Sequence, residues 1–213
     1  MGRKVLFTAS TCSHIVNFHL PYLRKFREEG WTVHVACGGS PMPVPDVERV
    51  IDLPFEKSMW SPKNLKASIL LSDEMRRENY ALIITHTSLA AFFTRLALWG
   101  LEERPKVANM VHGYLFDDET PWLKRNLLLA AERWMASDTD LVLTMNQWDC
   151  ELAEHYQLGG RVVQVPGVGV DLSRFDKVPP DTRQRLRKEL GIPEDAFVLI
   201  YAAEFSARKS QKV

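Results

Sequence analysis

No apolar run in this 213-residue chain reaches the ~18 residues needed to cross a bilayer. Arg3 and Lys4 precede only a short apolar stretch, Val5 to Ala9, too brief for the core of a signal peptide. Surplus charge is missing too. Lys plus Arg number 27 and Asp plus Glu number 27, so a dedicated nucleic-acid binder, which needs a basic excess to meet phosphates, is excluded. Gly and Pro, at 11 and 12, are too few for a low-complexity chain. Cysteine is scarce: Cys12, Cys37 and Cys150 stand far apart. With no CxxC motif and no Cys/His cluster in the sequence, no metal site is expected, and the odd count fits a reducing compartment. These absences describe a soluble cytoplasmic protein.

What is present is strand then helix, repeated. Apolar runs at 4–9, 31–37, 49–54, 81–86, 106–112, 140–145 and 161–166 read as strands. Between them, 14–29, 62–79, 88–100, 121–136 and 147–156 read as amphipathic helices, the first stopped by Gly30 and the fourth opened by Pro121. Near-continuous apolar strands alternating with helices predict an α/β fold with a doubly wound parallel sheet covered on both faces. Ligands then bind beyond the carboxyl ends of the strands. The first unit is expected to span 1–175. A polar linker and a short basic helix follow over 176–195. A new strand begins within 196–213, so the chain is expected to stop inside a second α/β domain.

The loops after the strands carry the candidate chemistry. No glycine lies between Gly2 and Gly30, which argues against the GxGxxG loop of a dinucleotide fold. The first loop offers Ser10, Thr11, Ser13, His14, Asn17 and His19 instead. These groups suit sugar hydroxyls or a phosphate at a helix N-terminus, although Ser10 or Thr11 could equally serve as a helix cap. Pro21 either starts that helix or kinks it. His112 and Gly113 end a central strand, the site position of this architecture. His86 ends the strand before it, and for His86 both a site role and a packing role stand. Thr87, Ser88 and Asn146 read as helix caps. Asp117 and Asp118 read as a solvated loop, with weak potential as an acid and base. Gly167 and Gly169 suggest a loop facing a cleft. Trp122, Leu123, Leu127, Leu128, Ala131, Trp134 and Met135, set among Lys124, Arg125 and Arg133, could lie on a membrane surface, but packing against the sheet is the stronger reading.

Together KVLFTASTCSHIVNFHLPYLRKFREEGWTVHVACGG, VHGYLF, LTMNQWDCELA, VPGVGVDLSRF and LGIPEDAFVLIYAAEFSARKSQ resemble the retaining glycosyltransferases of family 4, in their bacterial capsular and exopolysaccharide branch. The resemblance implies the N-terminal, Rossmann-like half of a GT-B fold, in which a second domain holds most of the nucleotide sugar. It implies transfer of a hexose from a nucleotide sugar to a lipid-linked or oligosaccharide acceptor. No cofactor or metal is implied, and peripheral contact with the inner face of the plasma membrane is compatible with it. His112 matches the histidine that reaches the donor sugar, and the Ser10–His14 loop matches the acceptor and diphosphate side. Arg208 and Lys209 fall on the donor side, Lys209 matching the lysine that contacts the diphosphate. Glu204 stands where many members carry an arginine. Two other readings compete, a sugar-nucleotide epimerase of the same architecture and a non-catalytic sugar-binding domain.

Overall fold

The structure is a computed structural model that describes residues 2–56, 58–169, 172, 179–203 and 205. Contacts divide the chain into two units, Met1–Gly169 and Val170–Val213.

The first unit holds seven strands: β1 (Lys4–Ala9), β2 (Thr32–Cys37), β3 (Arg49–Asp52), β4 (Leu82–His86), β5 (Lys106–Val111), β6 (Leu141–Thr144) and β7 (Arg161–Gln164). All pair in parallel, in the order β3-β2-β1-β4-β5-β6-β7. Strand order therefore reverses between β1 and β4, which opens a crevice at their carboxyl ends. The helices are α1 (Cys12–Phe18), α2 (Leu20–Glu28), α3 (Pro62–Glu78), α4 (Ser88–Leu96), α5 (Trp122–Trp134) and α6 (Gln147–His155).

Alternation along β1 builds the two layers. Val5, Phe7 and Ala9 pack with Ile15 and Leu23 of the first two helices. Leu6 turns the other way, to Leu71 of α3 and Ala90 and Phe93 of α4. A third cluster, with Val111, Val142 and Leu152, fills the far end. On the α4 side, the wholly buried Arg95 donates to Glu132 Oε2 (2.9 Å), Thr139 Oγ1 (3.2 Å) and the Ala91 carbonyl (3.0 Å), and so fastens α4 to α5.

Several sequence expectations change. The helix expected over 14–29 is two helices that part at His19. Pro21 lies in the first turn of α2, where its missing N–H costs nothing, so it marks a helix start. Pro121 lies just before α5, not inside it. The apolar stripe of that helix is only partly inward. Leu129 and Met135 are buried, but Trp122, Leu123, Leu127 and Trp134 are exposed, Trp122 at 77%. Cys12 and Cys37 are joined in a disulfide, with Cα atoms 5.1 Å apart, and Cys150 is free. The parallel pairing that sets Ala9 beside Cys37 brings the two together despite 25 residues of separation. The cysteine argument for a reducing compartment therefore falls.

In the second unit, α7 (Thr182–Glu189) forms as the basic helix expected there. Its Arg187 guanidinium donates to the carbonyls of Pro193, Glu194 and Ala196, folding the following turn back on the helix. The strand expected over 196–205 is not a strand at its described residues, 196–203 and 205. No neighbouring strand is present among them to complete its hydrogen bonds.

Candidate active site

Four loop or strand ends meet at the carboxyl edge of the sheet. His14 rides on α1 directly after β1, and His19 occupies the α1–α2 break. His86 is the last residue of β4, and His112 follows β5. β1, β4 and β5 are consecutive in the sheet, so their ends are neighbours. His19 faces inward at the junction of α1 and α2. It falls four residues after Ile15 and four before Leu23, both wholly buried, and is itself 1% exposed with its ring stacked on His86 at 3.7 Å.

The four imidazoles form one cluster. His14 Nε2 and His86 Nδ1 each lie 3.3 Å from His112 Nε2. One ligand-capable nitrogen from each of the four rings falls within 4.8 Å of all the others. His14 and His112 are half-buried, while His19 and His86 are buried. Burial pushes the His112 ring down to about 4, helped by His14 beside it. Burial, then His14 and His112, pushes His19 down to about 3. His86 lies well below the usual imidazole range, and His14 is also lowered, in both cases by burial first. At neutral pH the cluster is thus four uncharged rings, each able to accept at one nitrogen and donate at the other. The sequence showed no Cys/His cluster because residues 14, 19, 86 and 112 meet only through the sheet.

Hydroxyls line the adjoining wall. Ser10 Oγ and Thr87 Oγ1 share a hydrogen bond of 2.6 Å, and Ser10 N–H donates to the same Thr87 oxygen at 3.1 Å. Thr87, expected as a cap, makes no side-chain cap bond. It sits at φ +65°, a conformation that costs a β-branched residue strain. That strain turns its hydroxyl across the β1–β4 crevice to Ser10. Thr11 is the cap of α1, accepting from His14 N–H. Ser10, Thr11, Gly39, Phe55, Thr87 and Leu115 border a cleft of about 660 Å³. A somewhat larger cavity, about 770 Å³, lies at the other edge among the strand starts Lys106, Leu141 and Arg161. The carboxyl-edge cleft is the better candidate, because the strand-order reversal opens there.

The remaining predicted residues divide. Gly113, at φ +108°, turns the chain after His112 in a conformation that favours glycine. Asn146 caps α6, accepting from Asp149 N–H at 2.8 Å. Asp149, not singled out in the sequence, is 2% exposed and accepts from Asn146 Nδ2 and from Tyr114 N–H. It thereby holds the loop that carries His112, a signal readable only as the short Asn-x-x-Asp pattern of a cap. Asn17 is exposed on α1. Gly167 and Gly169 both have positive φ and open space where a Cβ would stand. Asp117 accepts from Thr120 in its own exposed loop, and Asp118 pairs with Arg125 in the first turn of α5, so both carboxylates are engaged locally. Glu204, Arg208 and Lys209 lie outside the described residues.

Residues 22–174 match the model of Glycosyltransferase Family 4. The chain belongs to this family. It is 35% identical over its whole length to EpsD of Bacillus subtilis (strain 168), provisionally described as a glycosyltransferase, and spans 56% of that protein. It is 26% identical over 155 residues, 70% of this chain and 38% of the other, to an Escherichia coli UDP-Gal:α-D-GlcNAc-diphosphoundecaprenol α-1,3-galactosyltransferase. The family 4 chain also superposes on Anabaena HepE, solved with UDP and glucose, at a TM-score of 0.58 and 15% identity. That match covers 89% of this chain and 50% of HepE. The likeness fixes the fold as the Rossmann-like unit of GT-B proteins, as the sequence pattern implied.

Proposed function

We propose that this chain is the acceptor-side half of a retaining hexosyltransferase, which moves a hexose from a nucleotide sugar to a lipid-linked or oligosaccharide acceptor in surface-polysaccharide synthesis. The observation that carries the reading is His112, half-buried at the carboxyl edge of a family 4 sheet and against His14 and His86, whose neighbours Thr11 and Thr87 border the cleft. The lipid-linked acceptor draws support from the name of the Escherichia coli relative.

In the proposed step the bond from the anomeric carbon to the diphosphate breaks, and the diphosphate leaves with the electron pair. The acceptor oxygen attacks from the same face, and its proton passes to the departing phosphate. Neutral His112 can hydrogen-bond the sugar hydroxyls while positive charge builds on the ring. Ser10, Thr11 and Thr87 supply hydroxyl partners on the acceptor side. Lys209 and Arg208 would meet the developing negative charge, whereas Glu204 cannot pair with a phosphate. A pair of cations and a helix N-terminus suffice for this chemistry, so no metal is required. Closure of a second domain would exclude water.

A membrane-bound acceptor fits α5, whose outward face shows Trp122, Leu123, Leu127 and Trp134 beside Lys124 and Arg133. No described helix is long and apolar enough to cross a membrane. The proposed setting is peripheral, on the cytoplasmic face.

The test is transfer of radiolabelled hexose from UDP-glucose or UDP-galactose to GlcNAc-diphosphoundecaprenol. It is run with the 213-residue chain alone and with the chain joined to the C-terminal half of EpsD. No turnover is expected from the chain alone, and turnover is expected from the joined protein. Turnover by the chain alone would refute the half-site assignment. A joined protein that binds UDP and the acceptor but transfers nothing would leave a non-catalytic sugar-binding domain.

A further inference from the structure

We propose that His14, His19, His86 and His112 form a binding site for one divalent transition-metal ion of the zinc, cobalt or nickel class. Four neutral ring nitrogens converging without a carboxylate are an imidazole donor set, which suits these ions and not magnesium or calcium.

Three observations on geometry lead there. Tetrahedral zinc with Zn–N bonds of 2.0–2.1 Å sets its nitrogens ~3.3 Å apart. His112 Nε2 stands 3.3 Å from both His14 Nε2 and His86 Nδ1, already at that spacing. One ligand-capable nitrogen from each of the four rings lies within 4.8 Å of the others, so small ring rotations would bring the set to that spacing. Next, the cluster is over-subscribed as a hydrogen-bond network. His112 Nε2 has one in-plane lone pair or one proton, yet two nitrogens press on it. Finally, both ring nitrogens of His19, and Nε2 of His86, are buried without a hydrogen-bond partner. Unpaired buried nitrogens cost stability. An ion at the focus would take one lone pair from each of the four rings, easing the crowding at His112 Nε2 and giving one nitrogen of His19 a partner.

Ion binding does not depend on the transfer reading. One consequence does rest on it: an ion that holds the lone pairs of His112 and His14 removes them from the sugar. Zinc is therefore expected to inhibit transfer.

The experiment uses the intact 213-residue chain, stripped with chelator and kept free of reductant so that Cys12 and Cys37 stay paired. Zn²⁺ is titrated calorimetrically, and Co²⁺ is followed by its tetrahedral ligand-field absorption. One equivalent should bind, with Mg²⁺ giving no signal. The double variant His14→Gln/His112→Gln should lose affinity by on the order of 100-fold or more, while His155→Gln on α6 should bind as the parent does. Bound Co²⁺ should also broaden the ring signals of His14, His19, His86 and His112 and spare His34, a readout that needs no variant. Absence of stoichiometric binding, unchanged affinity in a folded double variant, or broadening confined to other histidines would each overturn the site. A transfer-inactive joined protein whose cluster still binds Co²⁺ would count against the transferase reading alone.

Discussion

Replacing Arg95 by methionine is expected to destabilise the chain by about 3–5 kcal/mol, as removal of one partner from a buried ion pair does. Arg95 is wholly buried, and its guanidinium meets Glu132, Thr139 and the carbonyl of Ala91. Glu132 itself is 12% exposed, so the carboxylate stranded by the substitution regains little water. Thr139 Oγ1 keeps its bond to the Met135 carbonyl but loses the guanidinium. The pair as a whole need not be stabilising, since two charges were dehydrated to form it. The double change Arg95→Met/Glu132→Leu should therefore recover much of the loss. Urea unfolding of the three proteins checks this. A single substitution that costs less than about 1 kcal/mol would mean that α4 and α5 are held by apolar packing instead.

In the joined transferase, His112→Ala should lower kcat by on the order of 10²–10³-fold, the usual result of removing one preorganised hydrogen-bond partner from a developing charge. The loss should fall on kcat more than on KM, because the contact strengthens as the sugar–phosphate bond breaks. His112→Gln keeps a donor and an acceptor and should retain more activity. Asp149→Ala should act through the same loop. It removes the acceptor of Tyr114 N–H and of Asn146 Nδ2, and so misplaces His112 without touching substrate. Equal kcat in His112→Ala and the parent would remove the imidazole from the chemistry.

The sheet was legible because each strand is a short, nearly continuous apolar run between amphipathic segments, and two-sided burial demands that pattern. The carboxyl-edge rule then singled out His14, His86 and His112 from position alone. What stayed hidden depends on contacts far apart in sequence. His19 looked like one more inward residue of a single helix, and only the packing of that helix over the ends of β4 and β5 shows that it meets His86 and His112. The Cys12–Cys37 disulfide follows from parallel register, which no spacing rule encodes. Thr87 has the residue type of a cap, but its positive φ sends the hydroxyl to Ser10. On α5 the apolar residues occupy more than one face, and composition cannot say which face meets the sheet.

The account rests on four distant histidines acting as one partly buried group, and ring nitrogen NMR of the metal-free chain, titrated from pH 7.5 downward, tests that most directly. His112 should reach half-protonation at about 4 and His19 at about 3, against 6.5 for a free ring. His14 and His86 should also titrate below 6.5. Because the unfolded chain takes up these protons first, their contribution to stability is intact above pH 6.5. It drains away as pH falls from there through the folded values. The predicted result is depressed, coupled titration, with His14→Gln shifting the His112 and His19 curves upward and flattening the acid loss of stability. Four independent curves near 6.5, indifferent to that substitution, would contradict it.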